Sequence, residues 1–178
     1  PVTEKRISDA RGRAMAHTMR HYVRNPEYFL MQARAIVAME KDPNDSIKRF
    51  QAKLDSNAQN PDAARYGLAL AYLKLGDHEE AGEILSNLIA ANPYLLTFRH
   101  SDIELDIARG NYDGALSKLD KLLSINPNNY PLTTLRSEAL WQDHRYEDAG
   151  EVLTALSRMR PEDPMIWYRL AEVRGLAG

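Results

Sequence analysis

A 34-residue echo constrains this chain more than any other feature. Residues 61–93 read PDAARYGLALAYLKLGDHEEAGEILSNLIAANP. Leu68, Ala69 and Tyr72 share one helical face, and Gly76-Asp77 breaks that helix. Glu80-Ala81 opens a second helix, which turns Ile84, Leu85, Leu88 and Ile89 inward until Asn92-Pro93 stops it. Moving 34 residues on from Gly76, Ala81 and Pro93 gives Gly110, Ala115 and Pro127. A second step from Ala115 and Pro127 gives Ala149 and Pro161. Leu85 leads in the same way to Leu119 and Leu153, and Leu88 to Leu122 and Leu156. Small residues such as Ala69 and Ala81 stand where two helices must approach closely. One helical hairpin cannot bury such a stripe alone, so stacked copies are required.

A helix–turn–helix unit of this period resembles the tetratricopeptide repeat. HEAT and armadillo repeats run to about 40–47 residues, and ankyrin repeats carry a Thr-Pro-Leu-His signature that is absent here. The resemblance implies an all-α solenoid of antiparallel helix pairs. Residues 26–60 read as a weaker first repeat: a helix near 28–39, a turn at Asp42-Pro43-Asn44-Asp45, and a helix near 46–54. Its glycine and alanine markers are missing, and the spacing slips to 35 between Pro26 and Pro61. Residues 164–174 begin a fifth unit, with Trp167, Leu170 and Ala171 in first-helix columns. No second helix follows, so the natural protein is expected to continue. The expected organisation is a capping helix over 1–25 and a solenoid over 26–178 of about four helix pairs plus a terminal helix.

The capping helix is read from Ile7, Ala10, Ala14, Met15, Met19 and Tyr22, which recur at helical spacing behind a candidate cap at Thr3. The opening PVTEKRISDARGRA also resembles the segment that closes the peptidase domain of BepA-type zinc metallopeptidases, through Pro1, Arg6 and Ile7. The tail IWYRLAEVRGLAG is similar to the same family. These are bacterial periplasmic proteins with a peptidase domain followed by a repeat domain. The resemblance implies a parent that holds zinc in a peptidase domain absent here and serves outer-membrane protein assembly and quality control. It also implies partners: unfolded or assembling proteins, outer-membrane assembly factors, or the parent's own peptidase domain. A free-standing scaffold in a cytosolic complex is the alternative, and the periplasm is otherwise the expected location.

Composition narrows the classes. Among 178 residues the net charge is −2, which favours neither nucleic acid nor an anionic membrane. No apolar run is long enough for a membrane span. The chain starts at Pro1 rather than Met, as expected of a fragment or processed product. Cysteine is absent, which excludes a disulfide framework and thiolate metal sites.

A metallopeptidase needs His-Glu-x-x-His on a helix. The nearest string, His78-Glu79-Glu80-Ala81-Gly82, has Gly where the second His belongs. His17 and His21 have the i, i+4 spacing but enclose no Glu, and a solvated helix face accounts for them. No Gly-rich phosphate loop or Gly-x-Ser-x-Gly elbow occurs. This piece is therefore expected to carry no catalytic centre, metal or cofactor of its own. A partner-binding groove is expected along the first helix of each repeat. Register from Gly76 assigns it Tyr66, Leu70, Leu73 and Lys74, then His100, Glu104 and Ile107, then Thr134, Glu138 and Trp141. Tyr168 follows from the last unit, and Phe29, Gln32 and Ile36 from the first. Tyr66, Trp141 and Tyr168 are the expected aromatic anchors. A clamp for acidic tails is disfavoured, because Lys74 stands almost alone against Glu104 and Glu138.

Overall fold

Asparagine, aspartate and proline mark out the helices. In a computed structural model, residues 25–56 and 59–177 are described, together with Glu4 and residues 6–8. The expected capping helix over 1–25 lies almost wholly outside the described residues, as do His17 and His21. Asn25, Asp42 and Asn60 accept backbone N–H bonds through their side chains, and each is followed by a proline at the first helical turn. These caps open α1 (Pro26–Met39), α2 (Pro43–Asp55) and α3 (Pro61–Leu75). Then come α4 (His78–Ala91), α5 (Leu96–Ala108), α6 (Tyr112–Ile125), α7 (Tyr130–Gln142), α8 (Tyr146–Met159) and α9 (Pro164–Ala177). The pairs α1/α2, α3/α4, α5/α6 and α7/α8 are the four hairpins, and α9 stands after them.

Three of the four hairpin turns use a left-handed residue: Gly76 at φ 94°, Gly110 at φ 74° and His144 at φ 59°. This conformation lets the chain reverse within a few residues and satisfies the last carbonyls of the helix. Asn111 and Asn129 cap the following α6 and α7. The first hairpin differs. Its turn has no left-handed residue, and Glu40 is extended at φ −69°.

The repeat columns form the core. Ala81, Ala115 and Ala149 are fully buried, as are Leu85 and Leu119, with Leu153 nearly so. The first hairpin fills the same columns with different residues. Ser46 lies 35 residues before Ala81 and is equally buried, and Phe50 lies 35 before Leu85. The small-residue marker read as missing is thus a serine. Phe50 needs extra room, and Gly67 supplies it: a Cβ there would run into the Phe50 ring. On α9 the three first-helix positions divide. Leu170 is buried with Ile166 and Val173, whereas Trp167 and Ala171 are exposed.

Successive first helices pack on one another, α1 on α3, α3 on α5 and α5 on α7, and no second helix packs comparably on the next. The first helices therefore line the inside of the curve. α1 leans on α3 and touches α2 only slightly. That tilt decides which of its residues reach the inner face.

Candidate functional site

The inner face is built in two parts. At its N-terminal part, one arginine organises three helices. Arg34 on α1 donates through both terminal nitrogens to Glu104 on α5, at 3.0 and 2.6 Å. It also donates to Ser101 at 2.8 Å and, through Nε, to the Tyr66 hydroxyl on α3 at 3.2 Å. Tyr66 and Ser101 share a hydrogen bond of 2.9 Å. His100 Nδ1 lies 3.5 Å from Glu104. A two-pronged arginine–carboxylate pair with further hydrogen bonds is the arrangement in which a partly buried ion pair holds its geometry. Burial alone would raise the Glu104 carboxyl, but hydrogen bonds and charge from His100 and Arg34 pull it down to about 2. For Arg34, burial works against the charge; Glu104 and Tyr66 outweigh it and raise its pKa above the ordinary value.

This network changes the sequence assignment. Tyr66 is fully buried and hydrogen-bonded beneath Arg34, so it is a core ring and not a surface anchor. Leu70 is likewise buried between helices, and Leu73 packs partly buried against the same core. Lys74 is tied down: its ammonium donates to the carbonyls of Val37 and Glu40, at 2.8 and 2.6 Å, where α1 ends. Phe29, Gln32 and Ile36 do not join the groove. They line a separate cavity among α1, α2 and α3, beside Phe50, Ala63 and Ala64. Counting back at a fixed 34 crossed the 35-residue slip and the altered first turn, and so put the wrong side of α1 inward. The residues that α1 does present are Glu27, Met31 and Arg34. They share an inner-face cavity with Thr97 and His100 of α5 and Pro131 of α7. Ile107 is buried in the second half of the core.

The C-terminal part keeps more of the expected residues together. Thr134, Glu138 and Trp141 of α7 line a cavity of about 200 Å³ with Ile166 and Arg169 of α9. Arg169 lies 4.8 Å over the Trp141 ring, 3.8 Å from Glu138 and 3.3 Å from Glu172. Tyr168 is exposed on α9. Sequence reasoning missed Arg34 and Arg169. The signal for Arg34 was the lone charge inside the mostly apolar run FLMQARAIVAM.

The comparisons with known proteins agree with this geometry. The profile of the tetratricopeptide repeat family matches residues 37–93 and 106–173, well over half of the chain. The chain belongs to the tetratricopeptide repeat family. A tetratricopeptide repeat protein of known crystal structure from Parabacteroides merdae superposes with a TM-score of 0.66 at 17% identity, covering 93% of this chain and 64% of that one. A thermophilic protein of the same family from Thermus thermophilus gives 0.67 at 24% identity, covering 86% and 84%. Both likenesses speak for the fold alone. Among curated proteins, the beta-barrel assembly-enhancing protease of Yersinia pestis is 24% identical over 180 residues, 100% of this chain. The Escherichia coli protein of that name is 24% identical over 176 residues, 97% of this chain. The chain spans only 37% and 35% of the length of these two relatives. Similarity to these proteases, expected from the flanking segments, thus runs along the whole chain. As a tetratricopeptide repeat array it is a module for protein–protein interaction. Among the described residues, no helix is long and apolar enough to cross a membrane, and no three His, Asp or Glu gather as a metal-binding group.

Proposed function

We propose that this repeat array is the polypeptide-holding region of a periplasmic zinc metallopeptidase that serves outer-membrane protein assembly and quality control. The observation that carries the reading is the full-chain similarity to proteases named for β-barrel assembly. The zinc and the peptide-bond chemistry belong to the parent's peptidase domain, and this array presents the client or docks an assembly factor. The inner face suits that task. Its strongest charges, Arg34 and Glu104, neutralise each other, and Arg169 is shared between two glutamates. With Arg34 and Arg169 both held by glutamates, the described inner face offers no cluster of free basic residues to select acidic clients. Its affinity rests on apolar and aromatic contact, and its dependence on salt is modest.

The test is titration with an unfolded outer-membrane β-barrel polypeptide. Thr134→Arg changes an exposed position at the inner-face cavity, and Tyr168→Ala an exposed ring that the repeat register assigns to the same face. Each should weaken binding about tenfold, the equivalent of about 1.4 kcal/mol, with the unfolding temperature unchanged. Unchanged affinity in both variants would refute inner-face capture.

A further inference from the structure

Two second helices open on nearly the same sequence. In α4 it runs His78-Glu79-Glu80-Ala81-Gly82-Glu83-Ile84-Leu85, and two periods on, in α8, Tyr146-Glu147-Asp148-Ala149-Gly150-Glu151-Val152-Leu153. Each glycine is the floor of the groove between its helix and the next first helix. Leu105 of α5 faces Gly82, and its counterpart Val173 of α9 faces Gly150. The α4–α5 groove is filled. Arg109, just past the end of α5, lays its guanidinium over Gly82 and donates to the carbonyl of His78. A Cβ on Gly82 would stand 2.8 Å from Arg109 Nη2, so the glycine makes room for that group. In the middle hairpin the same column holds Leu116, itself buried in the core. In α9 the counterpart of Arg109 is Ala177, which carries no guanidinium. The α8–α9 groove is open, with a volume of about 490 Å³ bounded by Tyr146, Glu147, Gly150, Glu151, Thr154 and Val173.

We propose that the α8–α9 groove is a docking site for an arginine side chain of a partner protein. That arginine sits over Gly150 as Arg109 sits over Gly82, and donates to the carbonyl of Tyr146. The groove opens on the second-helix side of the array, so the site is independent of client binding at the inner face. Charge supports the choice of occupant. Glu147 and Glu151 flank Gly150, and neither has a counter-ion among the described residues. Two arginines border the same groove without taking the seat: Val173 alone comes within 4 Å of a Cβ placed on Gly150. Arg158 lies two turns along α8 from Gly150, about 12 Å away. Arg174 holds the position of Asp106, which pairs with Lys118 of α6 and so turns away from α4. A guanidinium is planar and weakly hydrated, so it can lie flat on a glycine floor; a compact, strongly hydrated ammonium has no such fit.

The two copies of the motif supply test and control in one molecule, read from the backbone amide signals of Gly150 and Gly82. The probes are N-acetyl-arginine methylamide, its lysine analogue, and its citrulline analogue, which keeps the shape of arginine without the charge. In the natural sequence the arginine amide should shift the Gly150 signal saturably at millimolar concentration. The lysine and citrulline amides should each need about tenfold more. The Gly82 signal should stay in place, because Arg109 already holds that seat. Arg109→Ala vacates the first groove, and Gly82 should then respond at the concentration that shifts Gly150. Ala177→Arg supplies the occupant from the chain itself and should abolish the response of Gly150 to the free probe. The site is overturned by no saturable shift at Gly150, by equal binding of the lysine or citrulline amide, or by undiminished binding in Ala177→Arg. It is equally overturned if Arg109→Ala opens Gly82 to the probe while Gly150 never responds, since the bordering arginines then close the second groove.

Discussion

Arg34 and Glu104 decide the character of the N-terminal inner face. Their two-pronged pair spans 70 residues of sequence and ties the first hairpin to the third across Tyr66. Because Glu104 titrates near 2 in the folded chain, against an ordinary 4.5, it stabilises the fold at neutral pH. That contribution is lost as pH falls from about 4.5 to about 2. Glu104→Gln should therefore lower the unfolding temperature most at pH 7, and the gap to the natural sequence should close with acid. A gap of constant size from pH 7 to pH 2.5 would show that the carboxylate charge is idle. Ser46 makes the opposite case. Its buried hydroxyl has no partner in a column otherwise filled by alanine. Ser46→Ala should raise stability by about 1 kcal/mol, measurable as a shift in denaturant midpoint at unchanged slope.

At the scale of the helix, the columns legible in the sequence are those that repeat at a fixed spacing behind a left-handed turn. Ala81, Ala115 and Ala149 were readable because helices α4, α6 and α8 all follow such a turn, through Gly76, Gly110 or His144. Proline and asparagine placed the helix ends for the same local reason. What the sequence hid depends on how helices tilt. α1 follows no such geometry, so Phe29 and Gln32 turned out to face α2 and α3. Arg34 took the inner face, and a cation in an apolar run showed its partner only once α5 was in place. Tyr66 and Trp141 both fall in first-helix columns that register assigns to the inner face, two helical turns apart in the repeat. They part because Arg34 closes over the first, whereas the gap between α7 and α9 leaves the second at a cavity. The α2–α3 contact offers its own test. Gly67→Ala places a methyl against the buried Phe50 ring, which must shift to admit it, and should cost about 1–3 kcal/mol. Pairing it with Phe50→Leu, the residue of this column in the other three hairpins, should recover part of the loss. Failure of the pair to recover any would mean that the glycine answers to another constraint.

Across the whole molecule, two apolar clusters meet at α5. Phe98 and Leu105 belong to the N-terminal one, Ile103 and Ile107 to the C-terminal one. Because both clusters draw on α5, the halves of the array pack through one shared helix, and a bound chain can run along the inner face from one cavity to the other. The central claim is that an unfolded polypeptide lies along that inner face. Photo-cross-linking maps it directly, with the reactive side chain placed in turn at Thr97 and Thr134 on the inside and at Asn87 and Lys121 on exposed second-helix positions. The account predicts adducts to an unfolded outer-membrane β-barrel polypeptide from Thr97 and Thr134, suppressed by excess unlabelled client, and none from Asn87 or Lys121. Equal or stronger adducts from the second-helix positions would contradict it.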